Sequence, residues 1–188
     1  MTMVSDFPDK VKGFLLNPVE TIQQHREEEF GDAFKYFLMI LAINAILSGI
    51  LIMAGFGAAF AGMGGAGAGF IIAIIGGFIG GIIGLFIIGI ILHIFVTIVG
   101  GQRGLMETLK AVIYASTPSM LLGWIPVINF IAGIWALVLA ILAIRELQDI
   151  PTVKAAIAVL LPFIILIILS ILLVGFLTIG AVSTMQYY

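Results

Sequence analysis

Residues 36–102 contain no Asp, Glu, Lys or Arg. Two further charge-free runs follow, at 111–144 and 155–188. A soluble domain carries charge on about a quarter of its residues, because its surface must face water. Here the charged share is 10% and the mean hydropathy is +1.29, so the charges are too few to coat a globule. The chain reads as an integral membrane protein, an all-α polytopic bundle of spanning helices. The formal net charge of −2 gives no electrostatic ground for nucleic-acid binding. With no cysteine, disulfides and thiolate chemistry are excluded.

About 20 residues cross the hydrocarbon, so the first two runs are each too long for one helix. Residues 55–69, GFGAAFAGMGGAGAG, have the small side chains and poor helix propensity of a linker. Gly123-Trp124-Ile125-Pro126 reads as a turn whose tryptophan suits a membrane interface. Five spans result, at about 35–55, 70–99, 110–123, 127–145 and 154–181, so residues 35–188 form a transmembrane domain. Residues 1–34 precede it; they lack the unbroken apolar core of a signal peptide and carry acids throughout.

The charges test that division. Lys10, Lys12, Arg26, Lys35, Arg103, Lys110, Arg145 and Lys154 are all the basic residues. With five spans they fall in the N-terminal segment, the 100–110 loop and the 145–154 loop, on one side of the membrane, together with every acid. The positive-inside rule places that side in the cytoplasm. The expected location is the cell membrane, with the N-terminus inside and the C-terminus, with Tyr187 and Tyr188 as interface anchors, outside.

In the N-terminal segment Phe7, Val11, Phe14 and Leu15 recur on one helical face. This predicts a helix lying flat at the interface with Lys10 and Lys12 near headgroups. Asn17-Pro18-Val19-Glu20 then has the residues of a helix start, predicting a second helix from Pro18 to about Phe30. Its Glu27-Glu28-Glu29 run reads as a solvated face.

The order of several short features carries a resemblance. They are Asn17-Pro-Val-Glu-Thr-Ile22, the glycine, glutamate and lysine spacing of Gly101, Gly104, Glu107 and Lys110, Tyr114-Ala-Ser-Thr-Pro118, Ile125-Pro126, Ile134-Trp135, Arg145-Glu146-Leu147, and Thr152 followed by Lys154-Ala155-Ala156 with Pro162 beyond. Nearly the whole chain resembles the prokaryotic branch of the Yip-domain family, five-span proteins named for interaction with Ypt/Rab GTPases in eukaryotes. The Asp-Leu-Tyr-Gly-Pro stretch and long cytoplasmic tail of the eukaryotic members are missing. The resemblance implies a non-enzymatic membrane protein that works by association with proteins or lipids.

The second span holds two glycine rows at intervals of four: Gly76, Gly80 and Gly84, and Gly77 and Gly81, the latter leading on to Gly89. Glycine lets another backbone approach closely, so these rows predict helix packing, within the bundle or between copies as a glycine zipper. Polar residues form a second pattern. At ~1.5 Å per residue, Asn44, His93, Tyr114, Ser116 and Thr117 come to similar depths in the cytoplasmic leaflet. Thr97 lies one turn beyond His93. The expectation is a buried cluster of Asn44, His93, Thr97, Tyr114, Ser116 and Thr117 beside a helix kinked at Pro118, acting mainly as interhelical hydrogen bonding.

No catalytic residue is assigned, because a Ser–His pair here has no intramembrane acid to orient it. No metal or cofactor is expected; there is no His-Glu-x-x-His and no second intramembrane histidine. The function expected is membrane organisation or scaffolding, with the lipid bilayer, a second copy of the chain or another membrane protein as partner. The alternative is a small-solute or ion transporter or channel with a polar site around His93.

Overall fold

A computed structural model describes residues 3–56 and 65–185; part of the expected 55–69 linker and the terminal tyrosines lie outside the described residues. Every regular element among the described residues is helical. Helix α1 spans Met3–Leu16 and α2 spans Pro18–Gln24. Helix α3, Phe30–Leu51, runs into a π-helical turn at Ile52–Phe56. Then follow α4 (Gly65–Ile98), α5 (Leu105–Ala115), α6 (Thr117–Leu122), α7 (Pro126–Gln148) and α8 (Thr152–Met185).

Among the described residues, four helices are long and apolar enough to cross a membrane: Phe30–Ala54, Gly69–Ile98, Val127–Gln148 and Thr152–Phe176. The expected third span differs. The segment begins earlier, at Leu105, after Gly104 takes a φ of +88°. It then breaks at Ser116 into α5 and α6, of 11 and 6 residues, and neither is a candidate span by itself. Pro118 supplies the reason. Without an N–H it cannot continue the hydrogen bonding of α5, but it fits the first turn of a new helix.

The broken pair is also the most enclosed part of the bundle. Helix α5 packs against α3, α4 and α7, and α6 packs against α3 and α7. Thr108, Leu109, Lys110, Ala111, Ile113, Tyr114 and Ala115 are all buried. A break in helical bonding is tolerated at such a place, where neighbours rather than lipid meet the freed backbone groups. By contrast α4 and α8 turn rows of isoleucine and leucine outward, as at Ile79, Ile83, Ile87, Leu169 and Leu172. An apolar outer surface of that kind suits hydrocarbon and not water.

The N-terminal segment also departs from expectation. Helix α1 lies against α2 and α6, and its apolar face is turned into the protein. Phe14 has no exposed surface, and Phe7 and Val11 pack on the core. Helix α2 stops at Gln24, short of Phe30, and Asn17 makes no side-chain cap. Instead the Asn17 carbonyl accepts from the Thr21 N–H and hydroxyl. Residues 25–29 turn the chain, so α3 starts at Phe30, ahead of the expected start at 35.

Candidate functional site

The polar residues gather where α1, the 25–29 turn, α3 and α5 meet. Lys10 projects from the same face of α1 as Phe7 and Phe14, three residues after one and four before the other. It is therefore carried inward with them and keeps 8% of its surface exposed. Its ammonium lies 2.6 Å from Glu28 Oε1. It also sits 4.8 Å above the Tyr36 ring and 5.3 Å from the centre of the Tyr114 ring, within range of cation–π attraction. Leaving water holds the Lys10 ammonium below the ordinary lysine value, a loss that Glu28 offsets only in part.

Glu28 receives a second partner from below. The Tyr114 hydroxyl donates to Glu28 Oε2 at 2.8 Å. The Tyr114 ring stacks on Phe14 with centroids 4.6 Å apart, and Phe14 and Phe7 each lean on Tyr36, at 5.7 and 5.6 Å. Glu28 is thus not part of a solvated face. Glu27 is, with 84% of its side chain exposed. The Tyr36 hydroxyl in turn shares a hydrogen bond with Thr117 Oγ1 at 3.1 Å.

Lys110 holds the turn itself. With α2 ended, the carbonyls of Arg26 and Glu28 have no helical donor. The Lys110 ammonium donates to them at 2.8 and 2.9 Å and pairs with Glu107 Oε1 at 3.0 Å, which occupies its three N–H bonds. Glu107 Oε2 is buried with no partner among the described residues. Around this centre Asp149, in the left-handed region at φ 53°, pairs with Arg26 and with Arg103 at 3.3 Å. Gln23 reaches Glu146 at 3.0 Å. The N-terminal segment, the 100–104 loop and the 145–150 turn are therefore gathered at one end of the bundle.

The residues expected to form one cluster reach different partners. Asn44 Nδ2 donates to the Met120 carbonyl at 2.7 Å, near the end of α6, where helical donors run out. His93 Nδ1 meets Thr108 Oγ1 at 2.9 Å. Gln148 Nε2 donates to that same hydroxyl at 3.0 Å and to the Gly104 carbonyl at 2.9 Å, while its Oε1 accepts from the Arg103 N–H. Thr97 and Ser116 bond to the His93 and Ile113 carbonyls of their own helices. Thr117 goes to Tyr36 and Tyr114 to Glu28, as described. Thr108, Gln148, Lys10, Glu28 and Lys110 lie outside the cluster that the sequence predicts. For Lys10 and Lys110 the signal was present, since each lies four residues from a buried aromatic, Phe14 or Tyr114.

The glycine rows divide as well. A Cβ built on Gly81 would come within 2.4 Å of Leu41, and one on Gly89 within 2.3 Å of Leu109, so these two glycines admit α3 and α5. A Cβ on Gly76, Gly77, Gly80 or Gly84 would meet nothing within 4 Å. They leave an open strip on the outer side of α4. Among the described residues no group of His, Asp or Glu is arranged to hold a metal ion.

No curated protein and no solved structure matches the chain. A family model described as the Yip1 domain matches residues 12–174, from the second half of α1 into α8. With most of its length matched and its long apolar helices assembled in this way, the chain is a multi-pass helical membrane protein that belongs to the Yip1-domain family.

Proposed function

We propose that this protein is a non-enzymatic organiser of the membrane, acting by association with itself, with other membrane proteins or with lipids. The observation that carries the reading is the open strip at Gly76, Gly80 and Gly84. It lies on a helix 34 residues long, beside outward isoleucines, with room for another backbone. In lipid such room is what lets two helices gain close van der Waals contact. The reading includes a fivefold crossing, with α5 and α6 together forming a short broken span. The charged end, with the N-terminus, faces the cytoplasm, and the C-terminus lies outside. Gathering of Arg26, Arg103, Arg145 and Asp149 at one end of the bundle supports this orientation.

Photobleaching step counts of labelled protein in liposomes test the reading, with a solute and ion flux assay on the same vesicles. Expected is an oligomer without flux, which Gly80→Leu reduces to monomer while Gly133→Leu, another glycine with open space around it, leaves it intact. Monomers throughout would overturn self-association. Solute-specific flux lost on His93→Phe would instead favour a transport pathway through the His93–Thr108–Gln148 contacts.

A further inference from the structure

Helix α1 carries a face that fits two environments. Phe7, Lys10, Val11 and Phe14 share it, and the spacing suits a helix lying on a bilayer as well as one docked on protein. In the structure the face is docked on Tyr36 and Tyr114. The two positions exclude each other, because the same side chains make both contacts. Only Asn17 separates α1 from α2. Helix α2 has its own attachment, through buried Ile22 and the Gln23–Glu146 bond, so α1 can swing without it.

We propose that α1 is a releasable strap, latched on the aromatic bed of α3 and α5 by Lys10 and Glu28, and free to lay the same face on a phospholipid surface. Two features make the latch releasable. A cleft of about 220 Å³ runs beside it, lined by Phe7, Lys10, Glu28, Asp32, Tyr36 and Met39, so the first half of α1 does not fill its bed and the ion pair is reachable from outside. Release also returns both charges to polar surroundings. Desolvation of a buried ion pair offsets or exceeds its attraction, and such pairs set position more than they add stability. The depressed proton affinity of Lys10, with burial the largest cause, agrees with that. On the membrane, lipid phosphates take the place of Glu28 as partner for the ammonium, and more strongly where the lipid is anionic. Asp6 of α1, His25 of the turn, Asp32 of α3 and Lys110 of α5 are the other charged or titratable groups around the latch, beside the two tyrosines.

The strap does not depend on what the protein associates with. Spin labels at Asp9→Cys and Met106→Cys, both exposed in a chain with no other cysteine, report the α1–α5 distance in vesicles. Expected for the otherwise native protein is a short distance in zwitterionic lipid, with a several-fold larger long-distance population when the vesicles are enriched in anionic phospholipid. Glu28→Gln, which leaves the ammonium buried without its counter-charge, is expected to populate the long distance in both lipids. Adding Lys10→Met to Glu28→Gln removes the charge and is expected to restore the short distance. A distribution indifferent to lipid charge would overturn the membrane position. A double variant as undocked as Glu28→Gln alone would overturn the latch, since simple damage to packing accumulates and does not reverse.

Discussion

Lys110→Met is the most informative single change. Lys110 is 2% exposed, and its ammonium satisfies two carbonyls of the 25–29 turn and one Glu107 oxygen. Methionine fills a similar volume, so little cavity is made and the effect is electrostatic. Removing one partner from a buried ion pair costs ~3–5 kcal/mol, because the other charge is left in low dielectric. Each carbonyl left without a donor adds ~1–3 kcal/mol where water cannot reach it. The turn lies at the rim of the bundle, so water recovers most of the carbonyl loss, and ~3–5 kcal/mol is the expected total. Unfolding by titrated denaturing detergent in mixed micelles measures it. Lys35→Met is the control. Lys35 makes an ion pair of similar length with Asp32, at 2.7 Å, but its side chain is 62% exposed. Water screens such a pair, so its loss is expected to leave the unfolding curve unmoved. Glu107→Gln added to Lys110→Met removes the stranded carboxylate and is expected to recover part of the loss, as a coupled pair should. A Lys110→Met variant no more destabilised than Lys35→Met, or a loss that Glu107→Gln deepens, would contradict a buried and paired Lys110.

Gly81→Leu drives a side chain into Leu41 and is expected to destabilise the fold by ~1–3 kcal/mol in the same titration, while Gly133→Leu, with open space and outside the proposed self-association strip, leaves stability unchanged. Asn44→Leu frees the Met120 carbonyl and is expected to cost ~0.6–2 kcal/mol. Docking of α1 has a pH dependence of defined sign. The docked Lys10 holds its proton less tightly than the free helix does. Undocked α1 therefore binds more protons between the lowered value and the ordinary one of 10.5, and docking strengthens as pH rises through that window. The spin-label distances check this directly, and a docked fraction that falls over the window would contradict it. Impermeant maleimide is expected to label Gln102→Cys from the cytoplasmic side and Trp124→Cys from the outside. Labelling of both from one side would remove the broken span.

The long apolar helices were legible because burial in lipid leaves a plain mark, a run without charge. Helix α3 follows from that mark alone, although Asp32 and Lys35 in its first two turns push the expected start beyond Phe30. The break at Ser116 was half legible. Pro118 announced a kink, but the early start at Leu105 depends on Gly104 adopting a positive φ, which residue type permits without requiring. The polar site was harder to read for a different reason. Depth along a helix fixes one coordinate, and rotation about its axis fixes the other. Asn44, His93 and Tyr114 shared the first and not the second, so His93 turned to Thr108 on α5 while Asn44 reached α6.

Lys10 and Glu28 show how the same ambiguity works on a larger scale. A face of Phe7, Val11 and Phe14 calls for an apolar partner and does not say which. What distinguishes a protein groove from a bilayer is a charge within the face, since hydrocarbon offers it nothing and a groove can hold a counter-ion. Lys10 is that charge, and Glu28 lies far enough along the chain that only the fold brings them together. A lysine inside an otherwise apolar stripe near a membrane therefore admits two readings, one snorkelling to the headgroups and one paired within the protein. In this chain the aromatic pair Tyr36 and Tyr114 favours the second, because their faces accept the ammonium and the Tyr114 hydroxyl completes the carboxylate. Replacing both tyrosines by leucine would keep the groove apolar and remove those contacts. The lysine would then have more to gain at the membrane surface than in the groove, and α1 is expected to lie there in zwitterionic as well as anionic vesicles.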